Sequence, residues 1–176
     1  MKNLFVRHLL YKLKDDNILV PKQRSIDVMD KMKLYLAGPF FDREQIERIE
    51  RVEQALATNA TVEKVFSPRK AEAKHRQGSP EWIQEIFEMD REHIDQADVM
   101  LAVIDYEGTY VDPGTAWETG YACAKGKPVI LLKEKAAGTI NLMMGVPAQA
   151  VLTSVAALTS YDFITLPEQA WTGDMF

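Results

Sequence analysis

Cysteine and histidine are scarce in this sequence. Its 176 residues include one cysteine, Cys123, and three histidines, His8, His75 and His93. A single cysteine excludes an internal disulfide, and the histidines lack the short spacing that zinc ligands show in sequence. We therefore expect neither a disulfide framework nor a zinc site.

Positive charge is in deficit, and long apolar runs are lacking. The chain has 21 Lys and Arg against 26 Asp and Glu, a net charge of -5. Binding to nucleic-acid phosphates calls for a basic surface, so the expected partner is a small molecule and not nucleic acid. The sequence has no cleavable signal and no apolar run of about 20 residues, the length that spans a bilayer. These absences predict a cytoplasmic protein without membrane attachment.

Three common enzyme motifs are also absent. There is no G-x-G-x-x-G after the first predicted strand and no G-x-x-x-x-G-K-[ST], so no dinucleotide or nucleoside triphosphate site of the usual kind is indicated. The G-x-S-x-G turn of serine hydrolases does not occur either. What the chain offers for chemistry is carboxylates.

The first 31 residues differ in charge from the rest of the chain. They carry seven Lys and Arg against four Asp and Glu, and Met32 resembles an alternative start. Four apolar residues fall at the spacing of one helix face: Val6, Leu9, Leu10 and Leu13. We interpret residues 1–31 as an N-terminal extension with a short amphipathic helix, and residues 32–176 as one domain, because this length suits a single core.

Strands and helices alternate along the domain. Strands are predicted at residues 33–38, 62–66, 99–104, 128–132 and 150–153. Helices are predicted at residues 43–58, 81–96 and 115–125, with shorter ones near 140–144 and 154–161. This alternation predicts an α/β fold, a flavodoxin-like doubly wound five-stranded parallel sheet of order 2-1-3-4-5 with helices on both faces.

The chain is organised around residues 98–127. The apolar run at 99–104 is typical of a central parallel strand covered on both faces. A turn containing Asp112 follows, and then a helix that carries Glu118 near its start. Ligands of open α/β sheets bind beyond the carboxyl ends of the strands. Glu118 is therefore the leading candidate for the chemistry.

The helix predicted at 81–96 has an acid within its apolar stripe. The stripe consists of Ile83, Ile86, Phe87, Asp90, Ile94 and Ala97. Asp90 should therefore face the core, where desolvation raises the pKa of a carboxyl group. Two interpretations stay open: a structural acid that caps a neighbouring loop, or a proton donor in a cleft.

Two loops at the edge of the sheet also have more than one interpretation. Asp42 stands at the N-cap position of the helix at 43–58, but a carboxylate at this edge could instead accept a hydrogen bond from a sugar hydroxyl. The basic loop at residues 67–78 is either solvated surface, a loop that attracts phosphate, or a lid.

Three acids should meet at this edge. Asp90, Asp112 and Glu118 suit cleavage of a glycosidic bond, in which one carboxylate attacks or stabilises the anomeric carbon and another protonates the leaving group. From the residues alone, the same set could also bind magnesium.

Several segments together resemble the nucleoside 2-deoxyribosyltransferases over residues 33–176. They are KLYLAGPFFD, the pair Asp90 and Asp98, DPGTAWETGYACAKGKPV, INLM and the aromatic C-terminus. The resemblance implies transfer of 2-deoxyribose between nucleobases, without a cofactor, through a covalent sugar ester on a glutamate. It further implies deoxynucleosides and free nucleobases as binding partners, a role in nucleotide salvage, and a homo-oligomer whose sites are shared between subunits.

The resemblance also implies roles for individual residues. Glu118 corresponds to the nucleophile and Tyr35 to the tyrosine that orients it, while Asp90 and Asp112 correspond to acids around the base. The implied substrate-binding residues are Gly38, Phe40, Phe41, Asp42 for the 3′-hydroxyl, Asn141 for the 5′-hydroxyl across a subunit boundary, and Phe176 through its terminal carboxylate.

Two features depart from the family pattern. The family usually ends in tyrosine, whereas Phe176 lacks the hydroxyl group. The glutamine that reads the base has only Gln77 as a counterpart. Two other functions stay open: a hydrolase of the same fold that cleaves deoxynucleoside 5′-monophosphates, and a non-catalytic nucleotide-binding module.

Overall fold

A computed structural model describes residues 30–135 and 138–176. The amphipathic helix predicted around Val6 and Leu13 lies outside this part, as does most of the N-terminal extension. The strands are β1 (Met32–Ala37), β2 (Val62–Phe66), β3 (Val99–Val103), β4 (Val129–Leu132) and β5 (Ala150–Leu152). The helices are α1 (Arg43–Thr58), α2 (Pro80–Gln96), α3 (Pro113–Ala124) and α4 (Leu142–Gly145), with 3-10 turns at Pro68–Lys70 and Val155–Thr159.

The five strands form one parallel sheet of order β2-β1-β3-β4-β5, which confirms the predicted fold. The register places Tyr35 of β1 beside Phe66 of β2 on one side and beside Met100 of β3 on the other. Because side chains alternate along a strand, neighbouring residues in register point to the same face. Tyr35, Phe66 and Met100 therefore share one face of the sheet.

Each face of the sheet has its own apolar core. One core packs Leu34 and Leu36 of β1 against Ile49 and Val52 of α1. The other contains Tyr35 and receives side chains from both α2 and α3. β3 is buried along its whole length, as its unbroken apolar sequence predicted. The chemistry of Tyr35 therefore belongs to the face covered by α2 and α3.

Side chains at the loop ends fix where the helices begin. Asp42 accepts a hydrogen bond from the backbone N–H of Gln45 at 2.8 Å, so the N-cap expected for α1 is present. Asp112 caps α3 in the same way through the N–H of Thr115 at 2.8 Å. N-caps of this type stabilise a helix by about 1 kcal/mol. No helix in the described part of the chain has the length and apolarity needed to cross a membrane.

The apolar stripe predicted on α2 is wrong in its first half. Ile94 and Ala97 are buried, but Ile83 is 58% exposed and Phe87 is 48% exposed. Phe87 contacts the ring of Trp117 on α3, at 5.5 Å between centroids. Periodicity identifies residues on one face of a helix, but it does not say whether the sheet extends far enough to cover that face.

The C-terminus docks on the segment that leads into α4. Met175 forms a parallel bridge with Ile140. The N–H of Phe176 donates to the carbonyl of Ile140 at 3.3 Å, and the N–H of Leu142 donates to the main-chain oxygen of Phe176 at 3.0 Å. The last residues are thus held against the INLM segment.

Candidate active site

Glu118 and Tyr35 form the centre of the site. The phenolic hydroxyl of Tyr35 donates to Oε1 of Glu118 at 2.5 Å, across 83 positions of sequence. Tyr35 is fully buried in β1, and Glu118 lies in the second turn of α3. A short hydrogen bond to a carboxylate is a strong one. It fixes the direction in which the other carboxylate oxygen, Oε2, points.

Burial controls the protonation of this pair. Desolvation, opposed by the hydrogen bond from Tyr35 and assisted by the charges of Asp90 and Asp112, raises the pKa of Glu118 to about 7. Burial and the nearby charge of Glu118 hold the pKa of Tyr35 well above its ordinary value. Tyr35 therefore remains a hydrogen-bond donor at any physiological pH, while Glu118 titrates near neutrality.

Asp90 contributes a second unusual carboxyl group from α2. Desolvation raises the pKa of Asp90 to about 6, and His93 one turn later opposes this. Within the described residues, Oδ1 of Asp90 is buried without a hydrogen-bond partner. A buried polar atom without a partner is costly, so this oxygen is a candidate for a ligand contact.

Asp112 serves the helix and the site together. Its Oδ2 accepts from the backbone N–H of Thr115 at 2.8 Å and from the Thr115 hydroxyl at 3.1 Å. Its charge also acts on Glu118. The two cap bonds use one carboxylate oxygen, and the cap fixes the side chain beside the second turn of α3.

The loop after β1 supplies an aromatic edge. The rings of Phe40 and Phe41 are 5.7 Å apart, and Phe41 contacts Tyr106 edge to face at 6.2 Å. Phe41 is 66% exposed, which leaves its ring free for a ligand. Asp42, also exposed, uses Oδ1 for the α1 cap.

Gly38 has a packing reason to be glycine. A Cβ at this position would lie 2.8 Å from Cδ1 of Ile49 and 3.0 Å from Cβ of Val103. These are closer than carbon atoms normally approach. The described contacts of Gly38 therefore concern the junction of β1, α1 and β3, and its predicted role in substrate binding stays a prediction.

Tyr106 was missed by the sequence analysis. It follows β3 and lies half-buried next to Phe41. The charge of Glu107 raises the pKa of Tyr106, and burial, Asp112 and Asp42 add to this. Tyr106 thus stands within electrostatic range of both predicted site acids. Its place directly after a buried central strand was the signal that could have identified it.

Asn141 and Phe176 lie together at the start of α4, which packs beside α3. The side chain of Asn141 accepts from the N–H of Met143 at 2.9 Å and caps α4. Within the described part of this single chain, no hydrogen bond or ion pair joins Asn141 or Phe176 to Glu118. The surface beside them is apolar, with Met143 76% exposed and Val146 72% exposed.

The basic loop before α2 has part of its charge paired with carboxylates of α1 and α2. Arg69 and Lys70 both contact Glu53 of α1, at 2.6 and 2.7 Å. Nδ1 of His75 lies 2.8 Å from Glu85 of α2. These ion pairs favour a structural surface loop over one that attracts phosphate. Gln77 is exposed in this loop, and its predicted contact with the base stays a prediction.

The magnesium alternative concerns the same acids. In residues 30–135 and 138–176, no group of three or more His, Cys, Asp or Glu side chains is arranged to hold a metal ion. The cluster instead combines a neutral donor, Tyr35, with carboxyl groups that titrate near pH 6 and 7. Two carboxyl groups that change protonation state near neutral pH are suited to acid and nucleophile roles in one reaction.

Comparisons with known proteins identify relatives of this chain. A nucleoside deoxyribosyltransferase from Limosilactobacillus fermentum is 31% identical over 134 residues, which cover 69% of this chain and 79% of the relative. The structure of a 2-deoxyribosyltransferase from Bacillus psychrosaccharolyticus is 37% identical, with a TM-score of 0.70 over 79% of this chain and 98% of that chain. A conserved protein from Enterococcus faecalis V583 shares the fold, at 23% identity and a TM-score of 0.60 over 74% of this chain and 96% of that one.

The statistical model of one family, nucleoside 2-deoxyribosyltransferase, matches residues 34–151. This span contains the four clustered residues Tyr35, Asp90, Asp112 and Glu118. The sheet, the acidic cluster and the matched sequence thus coincide in one region, and the chain belongs to the nucleoside 2-deoxyribosyltransferase family.

Proposed function

We propose that this protein transfers 2-deoxyribose between nucleobases through a covalent deoxyribosyl ester on Glu118. The observation that carries the proposal is the half-buried Glu118 carboxylate, held by the Tyr35 hydroxyl at 2.5 Å. A nucleophile must be oriented, and it must be partly desolvated to be reactive. Glu118 meets both requirements, and Asp90 lies close enough to affect its pKa.

The first half-reaction forms the ester. Ionised Glu118 attacks C1′ of the deoxynucleoside, so that a C1′–O bond forms while the C1′–N bond to the base breaks. The electron pair of the broken bond goes to the base nitrogen, and Asp90 supplies the proton that neutralises the base. Tyr35 keeps its proton and stabilises the oxygen it contacts.

The second half-reaction reverses these roles. A nitrogen of the incoming base attacks C1′, the ester bond breaks, and Glu118 leaves as a carboxylate. Asp90 takes back the proton that the new base releases. Because desolvation raises the pKa values of both Asp90 and Glu118 toward neutrality, one proton can pass between the two carboxyl groups, and the reaction starts from the form in which Asp90 holds it and Glu118 is ionised. One shared proton is what each half-reaction needs.

The other site residues bind substrate in this proposal. Asp112 contributes a hydrogen bond to the base, Asp42 accepts from the 3′-hydroxyl, and Phe40 or Phe41 lines the sugar pocket. The exposure of the Phe41 ring supports this placement. No cofactor takes part, because the sugar ester on Glu118 conserves the activation of C1′ between the two bases.

The complete site contains a second subunit. Asn141 and the carboxylate of Phe176 are expected to reach the 5′-hydroxyl and to complete the site of a neighbour. The exposed apolar side chains of Met143 and Val146 beside them support an assembly through this surface. The proposed oligomer acts on deoxynucleosides and free nucleobases in the cytoplasm, in nucleotide salvage.

The decisive experiment mixes deoxyinosine with adenine and separates the products by chromatography. Formation of deoxyadenosine with little free deoxyribose is the expected result, and free sugar alone would instead indicate hydrolysis. Glu118→Gln should abolish transfer, whereas Glu63→Gln, a matched change on the exposed side of β2, should retain it. If Glu118→Gln binds ligand and the parent shows no turnover, the protein is a binding module and the proposal fails.

A further inference from the structure

Three aromatic rings form a row that ends at the Glu118 hydrogen bond. The imidazole of His93 stacks on Phe66 with centroids 3.6 Å apart and an interplanar angle of 15°. Phe66 in turn lies 5.5 Å from the ring of Tyr35, tilted by 31°. The hydroxyl of Tyr35 donates to Glu118. The row thus crosses from α2 over β2 and β1 to α3.

The positions of all three rings are set by regular structure. Tyr35 and Phe66 are partners in the parallel register of β1 and β2. His93 lies in the last turns of α2, where its Nδ1 donates to the carbonyl of Met89 at 2.7 Å. That bond ties the imidazole to its own helix, and the near-parallel stack places a flat ring against Phe66. His93 therefore closes the outer side of Phe66, while Tyr35 lies on its inner side.

We propose that His93 is a positioning residue, which acts through Phe66 to hold the Tyr35 ring where its hydroxyl donates to Glu118. Its effect on catalysis rests on the proposed function, but its effect on the Tyr35 contact does not. The stack is suited to this task, because flat rings in contact resist sliding and tilting together. A substitution of His93 should therefore shift the rings of Phe66 and Tyr35 and so weaken the hydrogen bond from Tyr35 to Glu118.

Two other effects of His93 have to be separated from this one. His93 lies one turn after Asp90 on α2, so its charge acts on Asp90 directly. Removing any half-buried ring can also lower the free energy of unfolding. The groups that act on Glu118 itself are Tyr35 from β1, Asp90 from α2 and Asp112 from the loop before α3. A suitable test must report on the Tyr35 hydroxyl and not on stability or on Asp90.

The test is a pH titration of the protein labelled with ¹³Cζ-tyrosine and followed by NMR. The chain has six tyrosines, and the Tyr35 signal is assigned by its loss in Tyr35→Phe. Because Tyr35 donates to Glu118, its signal should shift with a midpoint near pH 7, where Glu118 titrates. In His93→Ala this shift should shrink or disappear. In His93→Phe, which restores a flat ring without a charge, it should return.

Two further variants complete the design. His75→Ala removes a histidine that pairs with Glu85 outside the row, and it should leave the Tyr35 signal as in the parent. Phe66→Leu breaks the row without touching His93 and should reproduce His93→Ala, so it decides the matter if His93→Ala does not fold. A Tyr35 shift that persists in the folded His93→Ala or Phe66→Leu protein would overturn the proposal, as would its failure to return in His93→Phe.

Activity is measured in parallel. His93→Ala should lower kcat by about tenfold with a smaller change in KM, because small misplacements of reacting groups reduce the rate of the chemical step. His93→Phe should recover most of that loss. If the parent transfers no deoxyribose but the Tyr35 signal behaves as described, the proposed function fails and the positioning role of His93 stands.

Discussion

At the scale of residues, the site depends on how burial changes ordinary acids. Glu118 and Asp90 have elevated pKa values mainly because α2, α3 and β1 remove water from them. Tyr35 partly offsets this at Glu118 by donating a hydrogen bond. The result is a nucleophile and an acid that both change protonation state near neutral pH, so that one proton can pass between them.

The role of Asp90 as an acid can be separated from a role in binding. Asp90→Asn keeps the size of the side chain but cannot supply a proton, so transfer from deoxyinosine should fall by about 10² to 10⁴-fold. With 7-methyl-2′-deoxyguanosine, whose base is already cationic and needs no proton to leave, the same variant should lose far less. Steady-state kinetics with both donors provide the measurement. Equal losses with the two donors would show that Asp90 binds the base without protonating it.

The elevated pKa of Glu118 also predicts a stability difference. The folded state holds the Glu118 proton up to about pH 7, whereas the ordinary pKa of the group is 4.5. The parent therefore loses stability as pH rises from about 4.5 to 7, and the loss is complete above 7. Glu118→Gln lacks this titration and should be the more stable protein at pH 8, by up to about 3 kcal/mol, with little difference at pH 4. Thermal unfolding at both pH values tests the sign, and an equal difference at both would contradict it.

At the scale of elements, the sequence predicted the bounds of helices and strands better than it predicted which of their faces are buried. α1 and β2 have the predicted bounds. α1 combines an Asp42 cap with a clear apolar period, and β2 is a short segment with Val62, Val65 and Phe66 between polar loops. The stripe on α2 was predicted to be core throughout, yet Phe87 is half exposed and lies against the ring of the exposed Trp117. Sequence periodicity contains no information on which other element packs against the apolar face of a helix.

Asp112 both caps the start of α3 and serves as an acid of the site, and two substitutions separate these functions. Asp112→Ala removes both and should lower the free energy of unfolding by about 0.5–2 kcal/mol. Asp112→Ser keeps a hydroxyl cap for the N–H of Thr115 and removes the charge near Glu118, so it should fold almost as well as the parent. If Asp112 also contacts the base, both variants should lose activity to a similar degree. Recovery of activity in Asp112→Ser would indicate that the cap alone matters.

At the scale of the whole molecule, the sheet gathers residues that are distant in sequence. The contact between Tyr35 and Glu118 spans 83 positions, and no spacing rule predicts it. The resemblance to a known family supplied that pair in advance. It did not supply Tyr106 or His93, which come close to the site only because β3, α2 and the strand register place them there.

Sharing of sites between subunits can be tested by complementation. Glu118→Gln and Asn141→Ala should each be nearly inactive alone. When they are co-expressed, mixed assemblies should contain some sites with neither substitution, up to roughly a quarter of the total for a two-fold pair. Activity of the purified mixture, compared with that of each variant alone, is the measurement. No recovery in a mixture that is shown to contain both chains would place Asn141 in the site of its own subunit or outside any site.

The covalent ester on Glu118 is the central claim, and trapping tests it most directly. A deoxynucleoside fluorinated at the sugar destabilises the cationic transition state, which slows the formation and the hydrolysis of the ester. Incubation with the protein, followed by digestion and mass spectrometry, should show a peptide that carries one added fluorinated sugar on Glu118. The label should be absent in Glu118→Gln and should disappear from the parent when adenine is added. A label on any other residue, or transfer of the same sugar to adenine without a labelled peptide, would contradict the proposed mechanism.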